Sequence, residues 1–278
     1  MKKNPDSKIL ATADYLAAHL NDDDVRVVDA RLGEGFDVAH IDGAVALNGS
    51  SYLREDGDVI PADPFAQLMS KLGIDKNTNV IVYDDGNNLF ATRLWWVLNY
   101  YGHHRVKVLD GGWDNWVQQG LPVNNHSTDI DCADFLPQID KHQLATTSDV
   151  QAAIGLPRQV LLDVRGDEEW QRTEVTPKSQ PGHIPGAVHL VWSQLVDPQN
   201  MCFKPKNTLC ELFEAQGIYP QDEIITYCYA GIRAAHTMFA LKLAGFNKVR
   251  NYEGSWLAWA GAGCPVELNQ EQSRGQGS

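Results

Sequence analysis

Basic residues are in short supply. Lys and Arg number 23 against 36 Asp and Glu, a formal net charge of −13. Polyanions repel a chain this acidic, which argues against nucleic acid and an anionic membrane surface as partners but leaves room for a local basic pocket. Long apolar runs are missing too. No hydrophobic segment follows Lys2 and Lys3, and Asp6, Asp14 and Asp22 interrupt the stretch, so neither a signal peptide nor a transmembrane helix is expected. Cysteine is sparse and odd in number: Cys132, Cys202, Cys210, Cys228 and Cys264 lack compact spacing, which argues against a disulfide framework or a zinc site. A reducing cytoplasm is the expected location, with no metal and no cofactor. What remains is globular: 43% apolar and 21% charged over 278 residues, a length comfortable for two domains.

The two halves repeat each other. Leu10-Ala11-Thr12 returns as Leu144-Ala145-Thr146, and Val27-Val28-Asp29-Ala30-Arg31 as Leu161-Leu162-Asp163-Val164-Arg165. His40-Ile41-Asp42-Gly43-Ala44 answers His183-Ile184-Pro185-Gly186-Ala187 after the offset has grown by nine residues, so an insertion lies between Arg165 and His183. Val82-Tyr83-Asp84 answers Thr226-Tyr227-Cys228, and Asp110-Gly111-Gly112-Trp113 answers Glu253-Gly254-Ser255-Trp256. A period this long means duplicated domains. Val160–Leu162, Val188–Val191, Ile224–Tyr227 and Val249–Tyr252 read as strands apolar on both faces, as in a parallel sheet covered by helices. Residues 207–216 and 234–244 read as helices, the latter closed by Gly245. The expectation is an α/β chain of two tandem domains, each an open, mainly parallel sheet flanked by helices. The first spans 1–124, a linker 125–139, the second 140–270, and 271–278 form a disordered tail.

The segment that carries chemistry is Cys228-Tyr229-Ala230-Gly231-Ile232-Arg233. A buried strand ends at Tyr227 and a helix begins near Arg233, which places Cys228 at the carboxyl edge of a parallel sheet, where open α/β folds bind ligands. Loop N–H groups and the helix dipole favour negative charge there, hence a thiolate or a persulfide. Gly231 allows the turn and Arg233 adds positive charge. The other four cysteines are expected to be small hydrophobes.

These residues resemble the active loop of the rhodanese superfamily, a Cys with Gly at the fourth position and then a helix. Asp163-Val164-Arg165 and Gly182-His183-Ile184-Pro185-Gly186-Ala187 are similar to its paired signatures. The resemblance spans roughly residues 8–268 and implies two rhodanese-like domains, the first inactive because Asp84 stands in place of the cysteine. It implies a sulfurtransferase of the thiosulfate:cyanide type, moving a sulfane sulfur through a Cys228 persulfide. A small anionic donor is held by Arg165, Arg172, Arg233 and the Tyr229, Ala230, Gly231 and Ile232 loop, and the acceptor is a thiol, cyanide or a thioredoxin-like protein. Thiosulfate-type relatives favour basic residues just after the Cys, where this chain has Tyr229 and Ala230. Mercaptopyruvate-type relatives favour Gly-Ser-Gly, and here Ala230 has no hydroxyl; nor does the stretch from Tyr52 to Pro64 hold a His for their proton relay. The charge of Arg233 tips the expectation to thiosulfate, with 3-mercaptopyruvate as the alternative. His40 and His183, present in both halves, are expected to brace turns, and Trp192 and Trp256 to be core. Two other functions compete. A Cys-dependent phosphatase or arsenate reductase needs five residues between Cys and Arg, against four here. A non-enzymatic binding or regulatory module would not need an intact cysteine loop.

Overall fold

The computed structural model describes residues 7–47, 53–172 and 180–269. The expected tail and most of the expected insertion lie outside the described residues. In the first half, β1 (Leu10–Ala11), β2 (Val25–Asp29), β3 (Val45–Ala46), β4 (Asn79–Tyr83) and β5 (Val106–Leu109) make one sheet in the order β1-β5-β4-β2-β3. In the second, β6 (Leu144–Ala145), β7 (Gln159–Asp163), β8 (Val188–His189), β9 (Glu223–Tyr227) and β10 (Val249–Tyr252) repeat the pattern as β6-β10-β9-β7-β8. All these pairings are parallel. Two α/β domains of one topology therefore follow one another, as the repeat requires.

Local chemistry sets the element ends. Thr12 and Thr146 close the Leu-Ala-Thr repeats as helix caps: Thr12 Oγ1 accepts from Tyr15 N–H at 3.1 Å. Thr146 and Asp149 cap reciprocally, Oγ1 accepting at 3.2 Å and Thr146 N–H donating at 2.8 Å. Gly245 ends the Ile232–Ala244 helix at φ +98, a left-handed conformation that suits glycine. That helix starts two residues before the sequence pattern suggests, at Ile232.

The two domains share a core. One apolar cluster runs from Leu10, Val82 and Trp95 of the first half to Leu162, Phe239 and Val249 of the second. The Leu89–Tyr100 and Ile232–Ala244 helices lie at its centre, with the Trp95 and Phe239 rings edge to face at 4.9 Å. Both helices are apolar around most of their circumference because each is covered by its own sheet and by the other helix. These are the helices that follow Asp84 and Cys228, so domain docking fixes both loops at once. Residues 125–139 hold no helix or strand; they lie along the first domain, where Phe135 is buried and its N–H donates to Ser70 Oγ at 3.2 Å.

Candidate active site

Cys228 follows β9 directly and is 1% exposed. Gly231 turns the chain into the helix at φ +82. A Cβ there would stand 2.6 Å from Glu253 Oε2 and 2.9 Å from the Glu253 carbonyl oxygen, so glycine is required twice over. The first intrahelical bond runs from Ala235 N–H to the Gly231 carbonyl at 3.1 Å. The N–H groups of the first turn have no partner within the helix, which makes this end attractive to negative charge.

Ser255 stitches the loop from behind. Its Oγ accepts from Cys228 N–H at 3.2 Å and Gly231 N–H at 3.0 Å, and donates to the Tyr252 carbonyl at 2.7 Å. It does so from a left-handed backbone, φ +50, a conformation that costs energy in a non-glycine residue. The repeat has Gly112 here, also at positive φ, where a Cβ would lie 2.5 Å from the Asp84 carbonyl.

The first domain shows what such a loop holds. Asp84, fully buried, folds its carboxylate back into its own turn. Oδ1 accepts from Gly86 N–H at 3.0 Å and Asn88 N–H at 2.9 Å; Oδ2 accepts from Phe90 N–H at 2.8 Å and Ala91 N–H at 3.1 Å. Burial pushes this carboxyl above its ordinary range, while the four N–H donors pull the other way. The loop is a cradle for an anion, and in this half the anion is built in.

The cationic residues are placed differently from expectation. Arg233 does not stand alone: Nη1 and Nη2 donate to Glu169 Oε2 and Oε1 at 2.5 and 3.0 Å. Burial works against its charge, but Glu169 and the Cys228 sulfur, which is within hydrogen-bonding reach, carry the balance and raise its pKa. Burial pushes Glu169 up as well, yet the bonds to Arg233 hold it below its ordinary value. Arg165 is 1% exposed and committed to Asp163: Nε lies 3.0 Å from both carboxylate oxygens, and Nη2 donates to Oδ2 at 2.7 Å and to the Gly182 carbonyl at 2.9 Å. Arg31 repeats this with Asp29 and the Ala39 carbonyl. Each guanidinium lies over a tryptophan, Trp256 at 4.6 Å and Trp113 at 4.1 Å. The Asp-x-Arg pair thus has a structural duty in both halves. Arg172 is half-buried and its carbonyl accepts from Gly182 N–H at 3.1 Å. Tyr229, Ala230 and Ile232 are half-buried along the loop.

His40 and His183 are buried at turns. The His40 ring contacts the Phe36 and His126 carbonyls at 2.8 and 3.1 Å, and His183 stacks on Trp170 at 3.7 Å. Trp256 is core, whereas Trp192 is half-buried against His236. Cys132 is exposed and Cys202, Cys210 and Cys264 are partly so, less buried than small core hydrophobes would be. Burial beside Asp110 pushes the Cys202 thiol up to about 12, which keeps it unreactive.

Glu169, Ser255, Glu253 and Arg54 surround the loop and are not among the site residues expected from the sequence. Glu253 accepts from Arg93 Nη1 and Nη2 at 2.6 and 2.7 Å, and Arg54 Nε stands 3.0 Å from its Oε1. One cue was available for two of them: Glu253 and Ser255 break the repeat where the first half has Asp110 and Gly112. Among the described residues no group of His, Cys, Asp and Glu could hold a metal, and no helix is long and apolar enough to cross a membrane.

Fold and site define a class: a duplicated α/β protein whose matching sheet-edge loops carry a buried aspartate in one half and a buried cysteine in the other. The rhodanese-like domain family matches residues 12–119 and 146–262. A thiosulfate sulfurtransferase of Corynebacterium glutamicum is 33% identical, covering 94% of this chain and 91% of the relative. The sulfur carrier protein TtuD of Thermus thermophilus is 32% identical over 95% of this chain and 98% of its own. The crystal structure of SseA from Escherichia coli, described with 3-mercaptopyruvate sulfotransferases, superposes with a TM-score of 0.80 at 27% identity over 90% of this chain and 99% of that one. The chain belongs to the rhodanese family, as a tandem-domain sulfurtransferase.

Proposed function

We propose that Cys228 carries a sulfane sulfur as a persulfide, taken from thiosulfate and passed to a thiophilic acceptor. One observation supports this above all: Cys228 occupies the cradle position at which the other half holds a carboxylate with four N–H donors. A thiolate and a persulfide are the sulfur anions that suit such a cradle. The Cys228 thiolate attacks the outer sulfur of thiosulfate. A sulfur–sulfur bond forms to Cys228 as the bond to the sulfonate sulfur breaks, and its electron pair leaves with sulfite. A thiolate or cyanide then attacks the outer sulfur, and the pair from the broken bond returns to Cys228, in a ping-pong cycle. Arg165, Arg172 and Arg233, with the Tyr229–Ile232 loop, are the proposed donor ligands. The Asp84 half, whose carboxylate cannot form a persulfide, walls and braces the site.

The donor reading leans on the thiosulfate sulfurtransferase relative; 3-mercaptopyruvate is the second reading, favoured by the likeness to SseA. Mass spectrometry after mixing with thiosulfate tests the carrier: wild type gains one sulfur and Cys228→Ser does not. No gain from any donor would instead favour a binding module. Cyanide-acceptor kinetics with both donors side by side test the choice, and much faster turnover of mercaptopyruvate would reverse it. Phosphate-ester hydrolysis would revive the phosphatase reading.

A further inference from the structure

A dianionic donor has to be drawn to a loop whose own residues offer little free positive charge. Positions 229–232 are uncharged, Arg233 is matched by Glu169 and Arg165 by Asp163. The balance differs at Glu253, where one buried carboxylate faces two guanidinium groups, Arg93 and Arg54, both from the first domain. Of these two, Arg54 touches the loop itself: Nη1 donates to the Ala230 carbonyl at 2.6 Å. Its side chain is only 13% exposed, so its charge is poorly screened.

The same bond sets loop geometry. A trans peptide is planar, with its C=O and N–H on opposite sides. The Ala230–Gly231 peptide is clamped at both ends, its carbonyl by Arg54 and its N–H by Ser255 Oγ at 3.0 Å. Arg54 is itself held by a tight hairpin, Arg54–Glu55 against Asp58–Val59, whose Asp56-Gly57 turn has positive φ at both positions. Nη2 donates to the Gly57 carbonyl, and Nε lies 3.0 Å from Glu253 Oε1 as an ion pair without hydrogen-bond geometry. The neighbouring Leu53 carbonyl accepts from Arg93 Nη2 at 3.2 Å, tying the hairpin to the Leu89–Tyr100 helix.

We infer that Arg54, contributed by the half that lacks the cysteine, is the positioning residue that selects anionic sulfur donors at Cys228, clamping the Ala230 carbonyl and supplying positive charge that the loop's own sequence does not. This inference rests on Cys228 as the sulfur carrier, but alkylation of Cys228 tests it independently of sulfur transfer. Iodoacetate is an anion and iodoacetamide is neutral, so their rate ratio at Cys228, read by mass spectrometry, reports the local field. In Arg54→Gln, which keeps a donor for the Ala230 carbonyl but no charge, the iodoacetate rate and the thiosulfate kcat/KM are expected to fall about tenfold, while the iodoacetamide rate changes by less than about threefold. Arg54→Lys is expected to retain most of both, and Ala230→Lys on the Arg54→Gln background to restore the preference for iodoacetate. The inference is overturned if Arg54→Gln slows both reagents alike, which marks a structural role, or leaves thiosulfate kcat/KM within about twofold of wild type. A wild type that takes no sulfur from thiosulfate, with the alkylation contrast intact, would sink the carrier reading and leave the selection of anions by Arg54 standing.

Discussion

Asp84→Asn puts the cradle argument at risk directly. The carboxylate is fully buried and accepts four backbone N–H groups at 2.8–3.1 Å. An asparagine that keeps Oδ1 in place still serves Gly86 and Asn88, but its amide NH2 then faces the N–H groups of Phe90 and Ala91, donor against donor. Each buried donor left without an acceptor costs about 1–3 kcal/mol, so two cost about 2–6. Removing a buried charge returns part of that. A net loss of about 3 kcal/mol is expected, which moves a urea midpoint by about 1 M or more. Tryptophan fluorescence in urea follows the transition, and the persulfide mass on Cys228 should still form in the folded fraction. A midpoint within about 0.2 M of wild type would refute the claim that this loop is built around an anion, and with it the main physical support for a persulfide in the matching loop.

Three further outcomes follow from the same geometry. Ser255→Ala removes the acceptor shared by Cys228 and Gly231; a loss of about 1–3 kcal/mol in thermal or urea stability and a larger loss of kcat than of KM for thiosulfate are expected, and an unchanged kcat would contradict the stitching role. Gly231→Ala forces a Cβ to within 2.6 Å of Glu253 Oε2 at positive φ, so folded protein should show little sulfur uptake by mass spectrometry, whereas wild-type uptake would mean the loop yields easily. His236 is fully buried between Phe203 and Trp192, neither ring nitrogen has a hydrogen-bond partner, and burial lowers its pKa to about 3. The unfolded chain, with an ordinary histidine pKa near 6.5, then binds the extra proton between about pH 6.5 and 3, so this group costs stability as pH falls through that window. His236→Phe should raise the neutral-pH midpoint and flatten the decline in urea stability between pH 6.5 and 4; an equally steep decline would assign the acid sensitivity to other groups.

Much of this protein was written in local patterns. The Leu-Ala-Thr repeats mark a strand end and a helix cap because a threonine hydroxyl finds an N–H three residues on, within one turn. The strands read as apolar on both faces because helices cover both. The exchange of Cys228 for Asp84 was visible because duplicated sequence stays in register, and it carried the asymmetry between the halves. Tertiary structure decided the electrostatics. Arg233 meets Glu169 across 64 residues, Arg93 meets Glu253 across 160, and Arg54 reaches Ala230 across 176. Periodicity reports which face of an element is covered, but not which distant charge covers it. Those partners follow from sheet order and from the way two helices dock between domains. So the sequence alone determined that a cysteine stands at a sheet edge in one half of a duplicated α/β chain. The fold decided that the other half reaches across to hold its loop.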